Sequence, residues 1–214
     1  MEKINYGKIL EKTLKELSES GKRPSLLLHA CCAPCSSYVL EYLYPYFDIT
    51  LLYYNPNISP ESEYVTRSAE LVRLAEAFKK DNPSALINVV AVDYNPAPFS
   101  EVSKGREALA EGGARCIDCY HMRLEYAAKY GKEHGFDYFC TTLSISPHKN
   151  ASALNSIGAE LSEEYGIPYL FSDFKKNGGY LRSCELSKKY GLYRQNYCGC
   201  IYSKRQNEKE SEGI

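Results

Sequence analysis

The chain has 214 residues, 25% of them charged and 44% hydrophobic, with a net charge of −1. That balance supports one well-packed domain and excludes a disordered chain or a uniformly basic nucleic-acid binder. No stretch approaches the roughly 20 apolar residues of a membrane span, and the opening Met1-Glu2-Lys3-Ile4-Asn5-Tyr6 lacks the apolar core of a secretory signal.

In chain order, Ile9, Leu10, Leu14 and Leu17 form one apolar face and predict a helix over about 5–19, closed by Gly21 and Pro24. Leu26-Leu27-Leu28-His29 reads as a short buried strand, followed by a helix from about Ser36. A second strand over 49–54 is broken by Asn55-Pro56-Asn57, and the next helix carries Leu71, Leu74, Ala75 and Phe78 as one stripe. Strands follow at 86–92 and 136–142, the latter after a helix over about 117–134. A helix with Leu154, Ile157 and Leu161 on one face precedes a fifth strand over 168–171. This alternation predicts an α/β fold, a mainly parallel sheet with helices on both faces. Ligands of such sheets bind at the carboxyl edge, where strand order reverses. Residues 1–205 read as a single α/β domain, and the polar segment 206–214 as a disordered tail.

Nine cysteines fall largely into tight groups: Cys31-Cys32 with Cys35, Cys116 with Cys119, and Cys198 with Cys200. A chain with this much core does not need a disulfide framework, so the grouping points to metal or redox chemistry in a reducing compartment, the cytoplasm. Cys116-Ile117-Asp118-Cys119 suits zinc, an iron–sulfur cluster or a dithiol pair. Adjacent Cys31 and Cys32 serve a single tetrahedral ion poorly, whereas a cubane offers separate irons. Cys31, Cys32, Cys116 and Cys119 are therefore a four-thiolate set for [4Fe–4S], with Cys35 the rival for one place or simply the first turn of a helix. Cys198-Gly199-Cys200 can close a small, easily reduced disulfide or hold a second metal ion near the cluster. Cys140 reads as core, and Cys184 as unremarkable.

Residues 171–205 carry eight Lys or Arg against two acids, with five tyrosines interleaved, a composition suited to RNA. A solvated helical face accounts equally well for the lysines.

The motifs His29-Ala30-Cys31-Cys32-Ala33-Pro34-Cys35-Ser36, the CxxC with Tyr120 and Arg123, Thr141-Thr142-Leu143 with Ser146-Pro147-His148-Lys149, and Tyr193-Arg194-Gln195-Asn196-Tyr197-Cys198-Gly199-Cys200 together resemble the epoxyqueuosine reductase family QueH. The resemblance runs from about Pro24 to Tyr202. It implies a Rossmann-like fold related to the ATP-pyrophosphatase group and reduction of the epoxide of epoxyqueuosine in tRNA to an alkene, without cobalamin. It also implies Cys31, Cys32, Cys116 and Cys119 as cluster ligands and Cys198 and Cys200 as a redox-active pair, with an electron donor of unknown identity. His29, Asp118, His121 and Tyr193 are the proton donors considered. The rival expectations are a cluster-containing tRNA sulfur-transfer enzyme and a zinc-stabilised RNA-binding module without catalysis. Against the first, the loop after strand one has thiols in place of the glycines that cradle pyrophosphate.

Overall fold

The computed structural model describes the backbone of residues 4–212 and the side chains of residues 4–206. Helix α1 (Tyr6–Ser20) starts where the Asn5 side chain accepts from the Lys8 amide and stops at Gly21 in a left-handed conformation. It buries Leu10, Leu14 and Leu17, whereas Ile9, expected on the same face, lies at its margin and is exposed.

Four strands follow: β1 (Ser25–His29), β2 (Asp48–Tyr53), β3 (Ile87–Ala91) and β4 (Tyr138–Thr141). They form one all-parallel sheet in the order β3-β2-β1-β4. Helix α2 (Ala33–Leu43) connects β1 to β2, and α3 (Glu61–Asp81) connects β2 to β3. The chain then returns through α4 (Ala97–Ser103) and α5 (Ala114–Glu133) to place β4 against the other side of β1. Strand order thus reverses between β1 and β4, opening the crevice at their carboxyl ends that such sheets use for ligands. One apolar cluster joins Leu26, Leu28, Leu40, Leu51 and Leu74; a second joins Leu27, Leu124, Phe139, Leu154 and Leu161. Alternate residues of β1 therefore serve opposite layers, as helices on both faces require.

The segment expected as a fifth strand makes only an isolated bridge, Phe139 to Tyr169. Pro168 has no amide to donate, and by Ser172 the chain has turned away to bond with the Asn155 side chain. Beyond β4 lie a 3-10 turn (Thr142–Ile145), α6 (Ala151–Tyr165), α7 (Gly179–Lys189) and α8 (Ile201–Glu212). Backbone through Glu212 continues α8 into the segment read as a tail; its side chains from 207 onward lie outside the described residues. No helix among the described residues is long and apolar enough to cross a membrane.

Candidate active site

The loop leaving β1 carries the first thiols straight into the crevice. Helix α2 begins at Ala33, three residues earlier than the sequence implies, because Pro34 sits in its first turn, where a missing amide costs nothing. Cys32 is consequently the N-cap and Cys35 lies in the first turn. The sulfurs of Cys31, Cys32 and Cys35 all lie within 4.8 Å of one another, with Cys31 and Cys32 at 3.9 Å. Across the crevice, Thr142 Oγ1 accepts from the Cys31 amide at 3.2 Å and donates to its sulfur at 3.4 Å. The three thiols share their protons unevenly: bonds from Cys31 and Cys35 draw Cys32 well down, while the thiols of Cys31 and Cys35 are pushed up. The positive end of α2 adds to the stabilisation of charge at Cys32.

The CxxC lies inside the opening turns of α5, three residues apart on one helical face, because the helix starts at Ala114, three residues before the expected 117. Both sulfur-bearing residues are buried, and burial pushes the Cys119 thiol up to about 11. The Cys116 sulfur accepts from the Gly112 amide at 3.3 Å. Cys198 and Cys200 are free thiols, as are the other seven cysteines. Arg67 on α3 donates to the Cys198 carbonyl at 3.3 Å, and the Ser59 amide donates to that of Gly199 at 2.9 Å, so two side-on bonds hold this loop.

These groups border two cavities. A cleft of about 580 Å³ is lined by Cys31, Cys32, Cys35, Gln195, Tyr197 and His148, among others. A much smaller cavity is lined by Cys116, Cys119, Cys198 and Cys200, together with Asn57 and Tyr120. Arg123, Lys149 and Cys198 line both, so the two cavities adjoin at these residues. The sequence expectation joined Cys31 and Cys32 to Cys116 and Cys119; the structure brings the first pair together with Cys35 and sets the second beside Cys198 and Cys200.

Arg123 is 1% exposed. It donates to Asn55 Oδ1 at 3.1 Å and to the Cys119 carbonyl at 3.3 Å, while its Nη2 has no partner and no carboxylate pairs with it among the described residues. Burial opposes its charge, yet the surrounding sulfurs of Cys119, Cys198 and Cys31 hold it firmly ionised. A buried guanidinium without a carboxylate calls for another anion, and thiolates, free or metal-bound, are the groups at hand. Lys149 Nζ contacts the Cys198 sulfur at 3.0 Å and Glu111 Oε1 at 3.2 Å. Burial would favour ionised Glu111 least, but the Lys149 charge and the Ser203 hydroxyl hold its carboxyl below the usual range.

None of the proton donors considered from sequence lines either cavity. His29 is fully buried, with Nε2 donating to the Tyr54 carbonyl at 3.1 Å and Nδ1 accepting from Thr141 at 2.9 Å. Burial, then the Arg123 charge, lowers its pKa to about 4, so it is a neutral core residue. Asp118 is paired with Arg106, His121 faces Glu125, and the Tyr193 hydroxyl bonds to Glu63. Glu111, in the loop before α5, and Ser203, on α8, were not anticipated; no motif surrounds them, and their contacts cross about 92 residues of chain, a separation given by Ser203 to Glu111. Cys140 is core as expected, its thiol raised to about 12 by burial. The basic segment is partly neutralised: Arg182 pairs with Glu41 and Glu185, Lys189 with Asp81, and Lys175 with Asp173. Of its cations, Arg194 lines the cleft.

A parallel α/β sheet with convergent thiols and buried cations at its switch point defines a thiol-based metal or redox protein. The sequence model of the family described as "Epoxyqueuosine reductase QueH" matches residues 26–206. Proteins named epoxyqueuosine reductase QueH are 44% identical in Staphylococcus epidermidis (94% of this chain, 85% of that one), 42% in Streptococcus pyogenes (94% and 79%) and 35% in Thermotoga maritima (88% and 95%). The chain belongs to the epoxyqueuosine reductase QueH family. Among solved structures, the U34-tRNA thiolase NcsA from Methanococcus maripaludis, determined with its [4Fe-4S] cluster, is similar in fold, with TM-score 0.51 at 11% identity over 96% of this chain and 73% of that one.

Proposed function

We propose that this protein is an oxidoreductase that converts epoxyqueuosine to queuosine in tRNA, the last step in making that nucleoside, and that it works in the cytoplasm. Family membership supports the activity. The observation that carries the site reading is the buried Arg123 guanidinium, set among three thiol groups with an orphaned Nη2 and, among the described residues, no carboxylate partner. Such a charge fits beside an anionic thiolate-bound cluster. Cys31 and Cys32 border the cleft and Cys116 and Cys119 the cavity that adjoins it, and we assign these four, from the two sides, as the residues that would hold a [4Fe–4S] cluster, with Cys35 the competing donor. When bound, such a cluster supplies electrons one at a time.

Epoxide reduction consumes two electrons and two protons, leaving an alkene and water. Cys198 and Cys200, passing from dithiol to disulfide, would supply both. The dithiol reading is favoured over a second metal because the Lys149 ammonium lies 3.0 Å from the Cys198 sulfur, where a metal cation would be repelled. The cleft admits the modified base, with Gln195 and Tyr197 on its walls and Arg194 at its side available to a phosphate.

Metal analysis of anaerobically purified protein tests the reading. Iron with matching sulfide is expected. Zinc alone would favour an RNA-binding module without catalysis and overturn the reductase.

A further inference from the structure

We propose that Lys149 is a catalytic residue of this site: its buried ammonium receives the oxygen freed when the substrate's three-membered ring opens. The proposal deepens the reductase reading and rests on it.

Lys149 stands in the loop between the 3-10 turn and α6, next to the α6 N-cap Asn150, and is 8% exposed. A closed ring of contacts fixes it. Its Nζ donates to Cys198 Sγ at 3.0 Å and to Glu111 Oε1 at 3.2 Å. Glu111 Oε2 accepts from the Ser203 hydroxyl at 2.7 Å, and Ser203 Oγ accepts from the Cys198 amide at 3.2 Å. The ring of Tyr120 lies 5.9 Å from Nζ. An ammonium has three donors, and the two contacts above use two of them. Besides pairing with Glu111, Lys149 lines both the cleft and the cysteine-lined cavity, where a bound substrate can reach it. Burial disfavours its charge, but Cys198, Tyr120 and Glu111 outweigh that and hold it well above the ordinary lysine range.

Breaking the first C–O bond puts negative charge on oxygen. A fixed cation in a water-poor pocket is the arrangement that stabilises such charge most strongly, because it need not reorganise as the charge appears. The balance is complete without another reactant. Both C–O bonds and the S–H bonds of Cys198 and Cys200 break; a C=C bond and an S–S bond form. One thiol proton reaches the oxygen through Lys149, which is refilled from Cys198, and the other comes from Cys200. The oxygen leaves as water.

The test uses the full chain, anaerobic and iron-replete, in single turnovers on an anticodon stem-loop carrying epoxyqueuosine. K149M is expected to slow the rate by about 10²-fold or more, with iron content and stem-loop affinity close to the parent's. K149A should slow likewise and recover on adding ethylammonium, a response that a packing role would not give. The rates are compared at matched iron content, so damage to the fold does not mimic the effect. A K149M rate within about 3-fold of the parent, or a slow K149A that ethylammonium leaves unchanged, overturns the role. Parent turnover on the same substrate tests the reductase reading separately.

Discussion

Replacing Gly199 by alanine perturbs the Cys198–Cys200 pair without touching either sulfur. Gly199 has φ +115°, a backbone conformation that side-chain-bearing residues rarely adopt. An alanine Cβ there would lie 2.9 Å from Ile58 Cγ1 and 3.0 Å from Arg67 Nη1. Arg67 is poorly placed to retreat: its Nε is bonded to Glu63 at 2.7 Å, and it lies 5.1 Å over the Tyr197 ring. Backbone strain of roughly 1–3 kcal/mol and overpacking of similar size together give about 3 kcal/mol. Gly191→Ala is the control. Gly191 has φ +56° and open space around its missing Cβ, so strain alone applies, at about 1 kcal/mol. Urea unfolding reads the stability change, and single-turnover reduction of an epoxyqueuosine stem-loop reads the geometry. Gly199→Ala should lose about 3 kcal/mol and about 10²-fold in rate, as misplacement of a reacting group by an ångström does. Gly191→Ala should lose only the smaller stability increment. Equal costs for the two variants would refute the claim that Ile58 and Arg67 leave no room for a side chain at Gly199.

Three further outcomes follow from the same geometry. Cys116→Ser and Cys119→Ser should each strip iron and sulfide from anaerobic protein, whereas full content in either removes that residue from the ligand set; intact content in Cys32→Ser with loss in Cys35→Ser moves one ligand to Cys35. Arg194→Glu should weaken stem-loop binding and reduce its salt dependence by about one unit of slope, while Arg182→Glu, whose parent residue is already paired with Glu41 and Glu185, should not; equal losses would place the RNA elsewhere. Gly158→Ala should cost about 1–3 kcal/mol in denaturant unfolding, since its Cβ would meet the Tyr169 ring at 2.4–2.5 Å, and a neutral result would mean that the ring moves freely.

The sheet was legible because Leu26–Leu28 and the runs at 49–54, 86–92 and 136–142 are short, apolar and bounded by turn residues, which is what buried parallel strands require. The run at 168–171 has the same composition, but Pro168 and the side-chain bonds of Asn155 end its pairing, and such long-range bonds leave no periodic trace. Pro34 was read as loop although proline also opens helices, which displaced the start of α2; Cys35 falls in its first turn, one of the two places expected for it. The cysteine groups could be read because several separated motifs occur in order. Their partition between two cavities could not: it depends on how α5 and the Cys198–Cys200 loop meet. His29, one of the four proton donors considered, is a strand residue turned into the core, where burial keeps it neutral. The Glu111, Lys149 and Ser203 contacts join three loops and helices far apart in the chain, so no local pattern announces them.

The decisive assay for reductase activity incubates the iron-replete protein with epoxyqueuosine-containing tRNA and a strong reductant under anaerobic conditions, then weighs the nucleosides. A new nucleoside one oxygen atom lighter, queuosine, is expected, and its yield should fall away when Cys198 or Cys200 is replaced by alanine although iron and sulfide are retained. Unchanged epoxyqueuosine with full iron and sulfide, or undiminished conversion by both alanine variants, would contradict it.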